Sequence, residues 1–458
     1  MRRTVITSMA LWGVLLGSAG AETLTDALTQ AYRQAPELQA ARETFKSTVQ
    51  NYPLARAGLL PSLTATGTIG KTRSETTGVT TATTGTGSTT VVTTGTRDLE
   101  PKTASLSLSQ SIFRGGRTRA EMARAMAQIE GQVAQLQDTE AQVLLSAVAA
   151  YMNVLRDQEA YDIRQTNVAT LSRQYDAANI RFEVGEITKT DVAQAEARLA
   201  AARAGLASAE AQLAASRAQY QSLMGTMPAS LQAPLPVADL PADREAALAA
   251  SLRENPTYLS AAAAERAAQK TISVARAAGL PTVDLDASLS TARDSIASGS
   301  EVDSTAITAT LSIPLYRGGA ARAAYRAALH DRNRARYALD QVARQVQEAT
   351  TTAWTALLAA RVAKNASRAQ ERAAEFAFEG VKQEAELGLR TTLDVLDAEQ
   401  EYLEARLAAV SADRDLVVAE YQVLAAIGRL TAQDLGLPTE TFNPDAVIKE
   451  AKSILIWP

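Results

Sequence analysis

Very few side chains in this sequence could carry out chemistry. The 458-residue chain has no cysteine and one histidine, His330, which lies in a charged helical stretch and is expected to be solvated. The composition therefore excludes disulfides, thiol catalysis, cysteine-bound metals and a lipid-modified cysteine. No nucleotide-binding loop and no nucleophile-elbow motif is present. The sequence predicts neither an enzyme nor a cofactor or metal site.

Two carboxylates, Asp394 and Asp397, are the best candidates for a functional role. They are three residues apart, so on a helix they share one face. They follow Thr391 at the predicted start of the last long helix. Because the helix macrodipole favours carboxylates there without any further role, spacing alone leaves a capping role and a functional role open.

Composition favours thin helical layers over one thick core. Apolar residues reach 46%, but aromatic residues only 5%, because alanine supplies much of the apolar fraction. The formal net charge is −4, which provides no basic surface for nucleic acid. The chain is therefore not expected to bind nucleic acid.

The first 21 residues have the pattern of a secretory signal peptide. Arg2 and Arg3 precede an apolar stretch at residues 6–16, and small residues end at Ala21. The alternative is a retained membrane anchor, but the stretch is shorter than the roughly 20 residues that span a bilayer. The sequence therefore predicts export, with cleavage after Ala21.

The mature chain contains an internal repeat. Residues 111–118 read SIFRGGRT and residues 313–320 read IPLYRGGA, so Arg114 and Arg317 are 203 residues apart. Each Arg-Gly-Gly joins a strand-like segment to a very long helical segment, and the glycine pair permits a sharp turn. We interpret these turns as structural; they comprise Arg114, Gly115, Gly116, Arg317, Gly318 and Gly319.

Each half is predicted to contain a helical segment, a strand pair, a long helix, a glycine turn and a shorter helix. The predicted organisation is a signal peptide at 1–21; a first repeat at 22–227, with helices at 24–58, strands at 61–71 and 103–113, a long helix at 117–184 and a helix at 190–224; a linker at 228–241; a second repeat at 242–430, with helices at 242–278, strands at 282–292 and 304–316, a long helix at 319–387 and a helix at 391–428; and a C-terminal tail at 431–458.

The strand segments alternate apolar and polar residues over about ten positions, which fits tilted strands crossing an outer membrane. A soluble two-sided hairpin is the alternative. The Thr/Gly tract at residues 72–96 is predicted as a low-complexity loop that cannot fold by itself. Four strands cannot close a barrel, since known barrels of this type begin at about eight, so membrane strands would have to be pooled from several chains.

This order of elements resembles the TolC family of outer-membrane efflux and type I secretion proteins. Residues 386–396, ELGLRTTLDVL, are similar to the second periplasmic tip of the family, and residues 182–192, FEVGEITKTDV, to the first. The resemblance covers essentially the whole mature chain. It implies a mixed α and β membrane fold: a homotrimer with a twelve-stranded outer-membrane β-barrel, four strands per chain, continued by a long periplasmic α-helical coiled-coil barrel.

The resemblance also implies a function. Family members are passive exit ducts of tripartite efflux or type I secretion systems. A periplasmic adaptor and an inner-membrane pump, of the ABC or RND type, supply the substrate and the energy. The chain is accordingly expected in the outer membrane, in contact with lipid, with a large periplasmic part. The alternative is an exported coiled-coil scaffold or adhesin without channel activity.

The family match gives roles to residues at the tips. Residues matching Asp394 and Asp397 line the closed periplasmic entrance, where a trimer would place six carboxylates that favour cations and raise some of each other's pKa values. Arg390, Thr190 and Asp191 match positions that link the two helical hairpins in the closed state.

One tip position departs from the family. The fourth linking position is a tyrosine in the best-known members and corresponds here to Ala385. This departure removes a partner of Asp191 and predicts a less constrained closed state. Arg390 could instead be an ordinary surface arginine that caps a turn.

Overall fold

The computed structural model describes residues 22–85, 87–235, 237 and 239–453. The predicted signal peptide lies outside the described residues. Along the chain the elements are α1 (Leu24–Gln34), α2 (Pro36–Val49), α3 (Asn51–Ala57), β1 (Ser62–Ile69), β2 (Thr72–Thr84), β3 (Gly87–Leu99), β4 (Lys102–Arg114), α4 (Arg117–Glu183), α5 (Lys189–Met224), α6 (Arg244–Glu254), α7 (Pro256–Ala277), β5 (Thr282–Arg293), β6 (Glu301–Ser312), α8 (Ala320–Glu386), α9 (Thr392–Ile427) and α10 (Pro444–Ser453).

The long helices are the largest elements. Helices α4 and α8 have 67 residues each and contain no proline, and α5 and α9 have 36 residues each. At about 1.5 Å per residue, α4 and α8 are each about 100 Å long. Across the described ranges, no helix combines the length and the apolar character needed to cross a membrane.

Four strands form one antiparallel sheet in the order β1-β4-β5-β6. The central pair, β4 and β5, joins the two repeats, with Leu106 opposite Leu289. Large apolar side chains of this sheet are exposed in the single chain, including Ile307 at 76%. Among the described residues, β1 and β6 each have one neighbour in this sheet, so each has an open edge. Unpaired backbone groups on such edges cost several kcal/mol each in lipid, so a membrane position requires further strands.

The Thr/Gly tract is not a structureless loop. It forms the antiparallel hairpin of β2 and β3, paired from Thr72 opposite Leu99 to Thr84 opposite Gly87. The expectation that this tract does not fold was wrong. That expectation was based only on the small apolar surface that the tract could bury. Backbone pairing satisfies the N–H and C=O groups without a core, and β-branched threonine favours the extended conformation.

The end of one strand and the C-terminal tail differ most from the prediction. The strand predicted at residues 304–316 is β6, which spans Glu301–Ser312 and so stops before Pro314. Proline has no N–H to donate to a strand ladder. The C-terminal tail, for which no element was predicted, contains α10, and Arg56 donates to the Lys452 carbonyl at its end at 2.7 Å.

Contacts divide the chain into two compact units, each containing segments of both repeats. The first unit comprises the described residues up to 41 together with 136–256 and 345–441. Its fully buried side chains include Tyr151 and Tyr220, and alanine fills many of its other buried positions. The second unit comprises residues 42–135, 257–344 and the described residues from 442, and it contains an edge-to-face contact between Phe45 and Phe442, with ring centroids 5.8 Å apart.

An ion pair in the first unit gives a pH-dependent prediction. Arg429 donates to Glu254 at 2.6 Å, and the hydrogen bonds from Arg429 and Arg253 lower the pKa of Glu254 to about 2. A depressed carboxyl pKa stabilises the fold at pH values above the unfolded pKa of about 4.3, and this contribution is lost as pH falls towards 2.

We expect Glu254→Gln to remove about 1 kcal/mol of stability at neutral pH, since the pair is partly exposed, and to make stability depend less on pH below about 4.3. Thermal unfolding between pH 6 and 3 measures it. Arg429→Gln should behave alike, and an unchanged acid profile in both variants would contradict the assignment.

Candidate functional site

Both long helices end in a glycine turn. Gly185, after α4, has a φ of +81°, and Gly388, after α8, has a φ of +77°. Glycine adopts this left-handed conformation without the strain that a Cβ atom causes. A threonine then starts the next helix with extended backbone, Thr188 before α5 and Thr391 before α9. The two repeats therefore build helical tips with the same local geometry.

Asp191 and Asp394 occupy equivalent capping positions. The Thr188 N–H donates to the Asp191 carboxylate at 2.8 Å, and the Asp191 N–H donates to the Thr188 hydroxyl oxygen at 3.3 Å. Thr391 and Asp394 form the same pair of bonds at 2.9 Å and 3.2 Å. These bonds lower the pKa of both carboxyls, chiefly through the Thr188 hydroxyl for Asp191 and the Thr391 N–H for Asp394. In the single chain, Asp191 and Asp394 therefore both act as helix caps. The like-charge repulsion expected at the entrance would require further copies.

Asp397 is paired with a residue that the sequence analysis did not identify. Its carboxylate accepts a hydrogen bond from Arg198 of α5, 199 positions away in the sequence. No motif marks Arg198, so only the packing of α5 beside α9 could reveal the contact. The pair offsets part of the negative charge that Asp394 and Asp397 bring to this tip. In the described part of the chain, no three acidic or histidine side chains are grouped to hold a metal ion.

The predicted linking residues have other partners in the single chain. Arg390 donates from its Nε to Glu384 at 2.8 Å, and both side chains are about half exposed. Asp191 is engaged with Thr188, and Thr190 is exposed in the first turn of α5. Among the described residues, Arg390 donates to neither Thr190 nor Asp191. A link between the hairpins would therefore require Arg390 to exchange the Glu384 carboxylate for a new acceptor.

A buried carboxyl, Glu399, lies on α9 shortly after the tip. It is 6% exposed and accepts hydrogen bonds from Asn167 at 3.3 Å and from Gln174 at 2.7 Å, both on α4. Burial raises the pKa of Glu399, and these two bonds counteract the rise only in part. A charged residue type rarely predicts burial, so the sequence carried no signal for this contact. Glu399 connects α9 to α4 directly behind the candidate entrance.

The two Arg-Gly-Gly turns share a backbone conformation but differ in packing. The φ angles are +59° and +78° at Gly115 and Gly116, and +60° and +80° at Gly318 and Gly319. A Cβ atom at Gly115 would lie 2.6 Å from the Cβ of Leu280, whereas Gly318 and Gly319 have open space around them. Only the first turn therefore requires glycine for close approach as well as for its backbone conformation. The arginines are the remaining members of the turns: Arg114 ends β4, and Arg317 donates to the Ala278 carbonyl at 3.2 Å.

The chain is similar in sequence to a known protein family and to individual members of known function. The family model described as outer membrane efflux protein matches residues 27–226 and 247–429. The chain is 35% identical to the outer membrane efflux protein BepC of Brucella suis, over 96% of this chain and 92% of BepC. It is 27% identical to the alkaline protease secretion protein AprF of Pseudomonas aeruginosa, over 89% of this chain and 83% of AprF.

Solved structures agree with the family match. The Campylobacter jejuni CmeC outer membrane channel superposes with a TM-score of 0.76 at 17% identity, over 94% of this chain and 89% of CmeC. The open state of the Neisseria gonorrhoeae MtrE outer membrane channel gives 0.72 at 23% identity, over 88% of both chains. The predicted fold class is confirmed, with four strands per chain in the sheet and long helices. With its outer-membrane location and large periplasmic helical part, this chain belongs to the outer membrane efflux protein family, whose members are channels of efflux and type I secretion.

Proposed function

We propose that three copies of this chain assemble into a passive exit duct. The observation that carries the proposal is the four-stranded sheet of β1, β4, β5 and β6, which has two open edges and exposed apolar side chains. Three such sheets would contribute twelve strands, enough for a barrel with an open bore. Joining β1 of one copy to β6 of the next would remove both edges. The helices α4, α5, α8 and α9 would continue the duct in the periplasm.

The duct would depend on two partners. With no catalytic constellation in its sequence, the chain is assigned no catalytic step, and an inner-membrane pump of the ABC or RND type would supply the energy. A periplasmic adaptor would join the pump to the helical tips. The names of BepC and AprF refer to efflux and to protease secretion respectively. They support conduction of exported substrates, and selection of the substrate is assigned to the pump.

The periplasmic entrance would favour cations. Three copies would bring together three pairs of Asp394 and Asp397 at the tips, with Arg198 offsetting part of the charge of Asp397. A ring of carboxylates attracts cations and repels anions. Arg390, Thr190 and Asp191 would link neighbouring hairpins in the closed state, with Arg390 leaving Glu384. Ala385 cannot provide a hydroxyl to this network, so the closed state would be held by fewer links.

Single-channel recording in planar bilayers tests both parts of the proposal. We expect the purified oligomer to conduct with a cation preference, measured as the reversal potential in a KCl gradient. The double variant Asp394→Asn with Asp397→Asn should bring the cation-to-anion permeability ratio close to one, since about two negative charges per chain are removed. Arg198→Gln is the matched control with opposite sign, because it exposes the charge of Asp397 and should increase the preference.

Two results would contradict these assignments separately. An unchanged permeability ratio in the double variant would exclude the carboxylate entrance and leave the duct intact. A folded, membrane-inserted oligomer without conductance, even after Arg390→Ala releases the tip, would exclude the duct. That second outcome would favour the scaffold.

A further inference from the structure

Glu22, which directly follows the predicted cleavage site, is held by backbone contacts to the linker between the repeats. Its N–H donates to the Ser230 carbonyl at 2.7 Å, and its own carbonyl accepts from the Gln232 N–H at 3.1 Å. These bonds form an isolated parallel β-bridge between Glu22 and Leu231. The residue is therefore fixed at both of its backbone polar groups.

Two buried tyrosines also bond to Glu22. The Tyr220 hydroxyl donates to the Glu22 carboxylate at 2.6 Å, and the Tyr151 hydroxyl lies 2.8 Å from the Glu22 carbonyl oxygen. Both tyrosines are 0% exposed, and their ring centroids are 6.5 Å apart. A buried hydroxyl without a partner is costly, so Tyr220 depends on the Glu22 carboxylate, whereas the Tyr151 hydroxyl can donate either to Glu22 or to the Gln232 carbonyl at 2.7 Å. Together, Tyr151 of α4 and Tyr220 of α5 form a binding pocket for Glu22.

The charges around this pocket are negative. The carboxylates are those of Glu22 itself and of Asp26, which caps α1 by accepting from the Thr23 N–H at 3.1 Å. Burial raises the pKa of Tyr151 to about 12 and that of Tyr220 further, and the negative charges of Glu22 and Asp26 add smaller increases. Both hydroxyls therefore remain neutral donors. Among the described residues, no arginine or lysine forms an ion pair with either carboxylate. The backbone nitrogen of Glu22 can supply a positive charge here once it is no longer part of a peptide bond.

We propose that this pocket is a docking site for the mature N-terminus, and that removal of the signal peptide completes it. The inference depends on the predicted cleavage after Ala21. Hydrolysis of the Ala21–Glu22 peptide bond by a signal peptidase consumes one water, leaves a carboxylate on Ala21 and releases an amine on Glu22, which takes up a proton. The resulting α-ammonium keeps the donor to Ser230 and adds a positive charge beside the two carboxylates. Processing thus strengthens the attachment of α1 to α4, α5 and the linker.

Acylation of the N-terminal amine tests the proposal. The purified protein in detergent is treated with an amine-reactive ester, and modification of its N-terminal peptide is followed by mass spectrometry. The comparison protein carries Gly-Ser inserted between Ala21 and Glu22, which moves the amine about 7 Å along the chain. An amine whose pKa is raised by about one unit is about tenfold less available for acylation near neutral pH. We therefore expect the native amine to react about tenfold more slowly than the extended one.

Variants of the pocket extend the test. Tyr220→Phe removes the hydroxyl that holds the Glu22 carboxylate and should speed acylation several-fold. Tyr337→Phe is the matched control, because Tyr337 is 73% exposed on α8, and it should leave the rate unchanged. If Tyr220→Phe fails to fold, the Gly-Ser protein still decides the question.

The pH dependence has a defined sign. A docked ammonium has a folded pKa above the unfolded value of about 7.7–8.0, so its stabilisation is present below that range and is lost as pH rises through the folded pKa. The unfolding temperature of the processed protein should fall more steeply above pH 8 than that of the Gly-Ser form. Equal acylation rates with parallel pH profiles would overturn the proposal. So would an intact mass showing a first residue other than Glu22.

Discussion

Gly428→Ala is expected to destabilise the protein by about 2–5 kcal/mol. Gly428 ends α9 with a φ of +85°, where an alanine Cβ costs about 1–2 kcal/mol. That Cβ would also overlap the backbone carbonyl of Glu254 and lie 2.8 Å from the Asn255 Cα. Overpacking costs typically a further 1–3 kcal/mol, and backbone atoms cannot rotate away. The junction is held in addition by the Asn255 side chain, which donates to the Ala426 carbonyl at 2.9 Å.

The internal repeat provides matched controls for this prediction. Gly225 ends α5 with a φ of +78°, but a Cβ there would meet only the amide tip of Gln34, which can move. Gly388 has a similar φ and open space around it. Alanine at either position should cost about 1–2 kcal/mol, which is the backbone strain alone. The measurement is the temperature at which the detergent-solubilised oligomer unfolds. Equal losses at all three glycines would show that the contact with Glu254 contributes nothing.

Glu399→Leu is expected to cost about 1–3 kcal/mol, whereas Glu399→Gln should be nearly neutral. Leucine leaves the amide donors of Asn167 and Gln174 facing a side chain that accepts no hydrogen bond. Glutamine retains an oxygen acceptor and removes a buried charge. The side-chain oxygen of Gln174 is buried without a donor, and a glutamine at 399 brings an N–H group close to it. Thermal unfolding of the two variants measures the difference. Glu401→Gln, at an exposed position on the same helix, is the control and should change stability by less than about 0.5 kcal/mol.

The raised pKa of Glu399 fixes the direction of its pH effect. Because the folded state binds the proton more tightly than the unfolded state, this residue makes the fold less stable as pH rises from about 4.3 through the folded pKa. The wild-type protein should therefore gain stability relative to Glu399→Gln as pH is lowered from 8 towards 4. A constant difference between the two proteins over this range would exclude a buried titrating carboxyl between α4 and α9.

Local signals in the sequence determined the order of the elements and the geometry of the tips. Each depends on residues close together in the chain. An uninterrupted alanine-rich segment predicts a long helix, a glycine such as Gly185 or Gly388 predicts its end, and a threonine three residues before an aspartate predicts the next start. Because the sequence repeats with an offset of 203 residues, the same signals predict the same elements in both halves. The family followed from the same residues, because this combination of tips and turns is specific.

Only the tertiary structure decided which distant residues meet. Strand β4 pairs with β5 of the other repeat, Asp397 with Arg198, Glu399 with α4, and Glu22 with the two tyrosines. The Thr/Gly tract became a hairpin because its backbone groups found partners, which composition does not reveal. These contacts join positions that are far apart in the sequence, in one case 232 residues. No periodicity or motif encodes such a pairing. The sequence thus determined the long helices, the tips and the four strands of the main sheet, but neither the β2–β3 hairpin nor α10. Packing determined which side chains are paired, buried or left charged, and therefore how much of the charge predicted at the entrance is free to act.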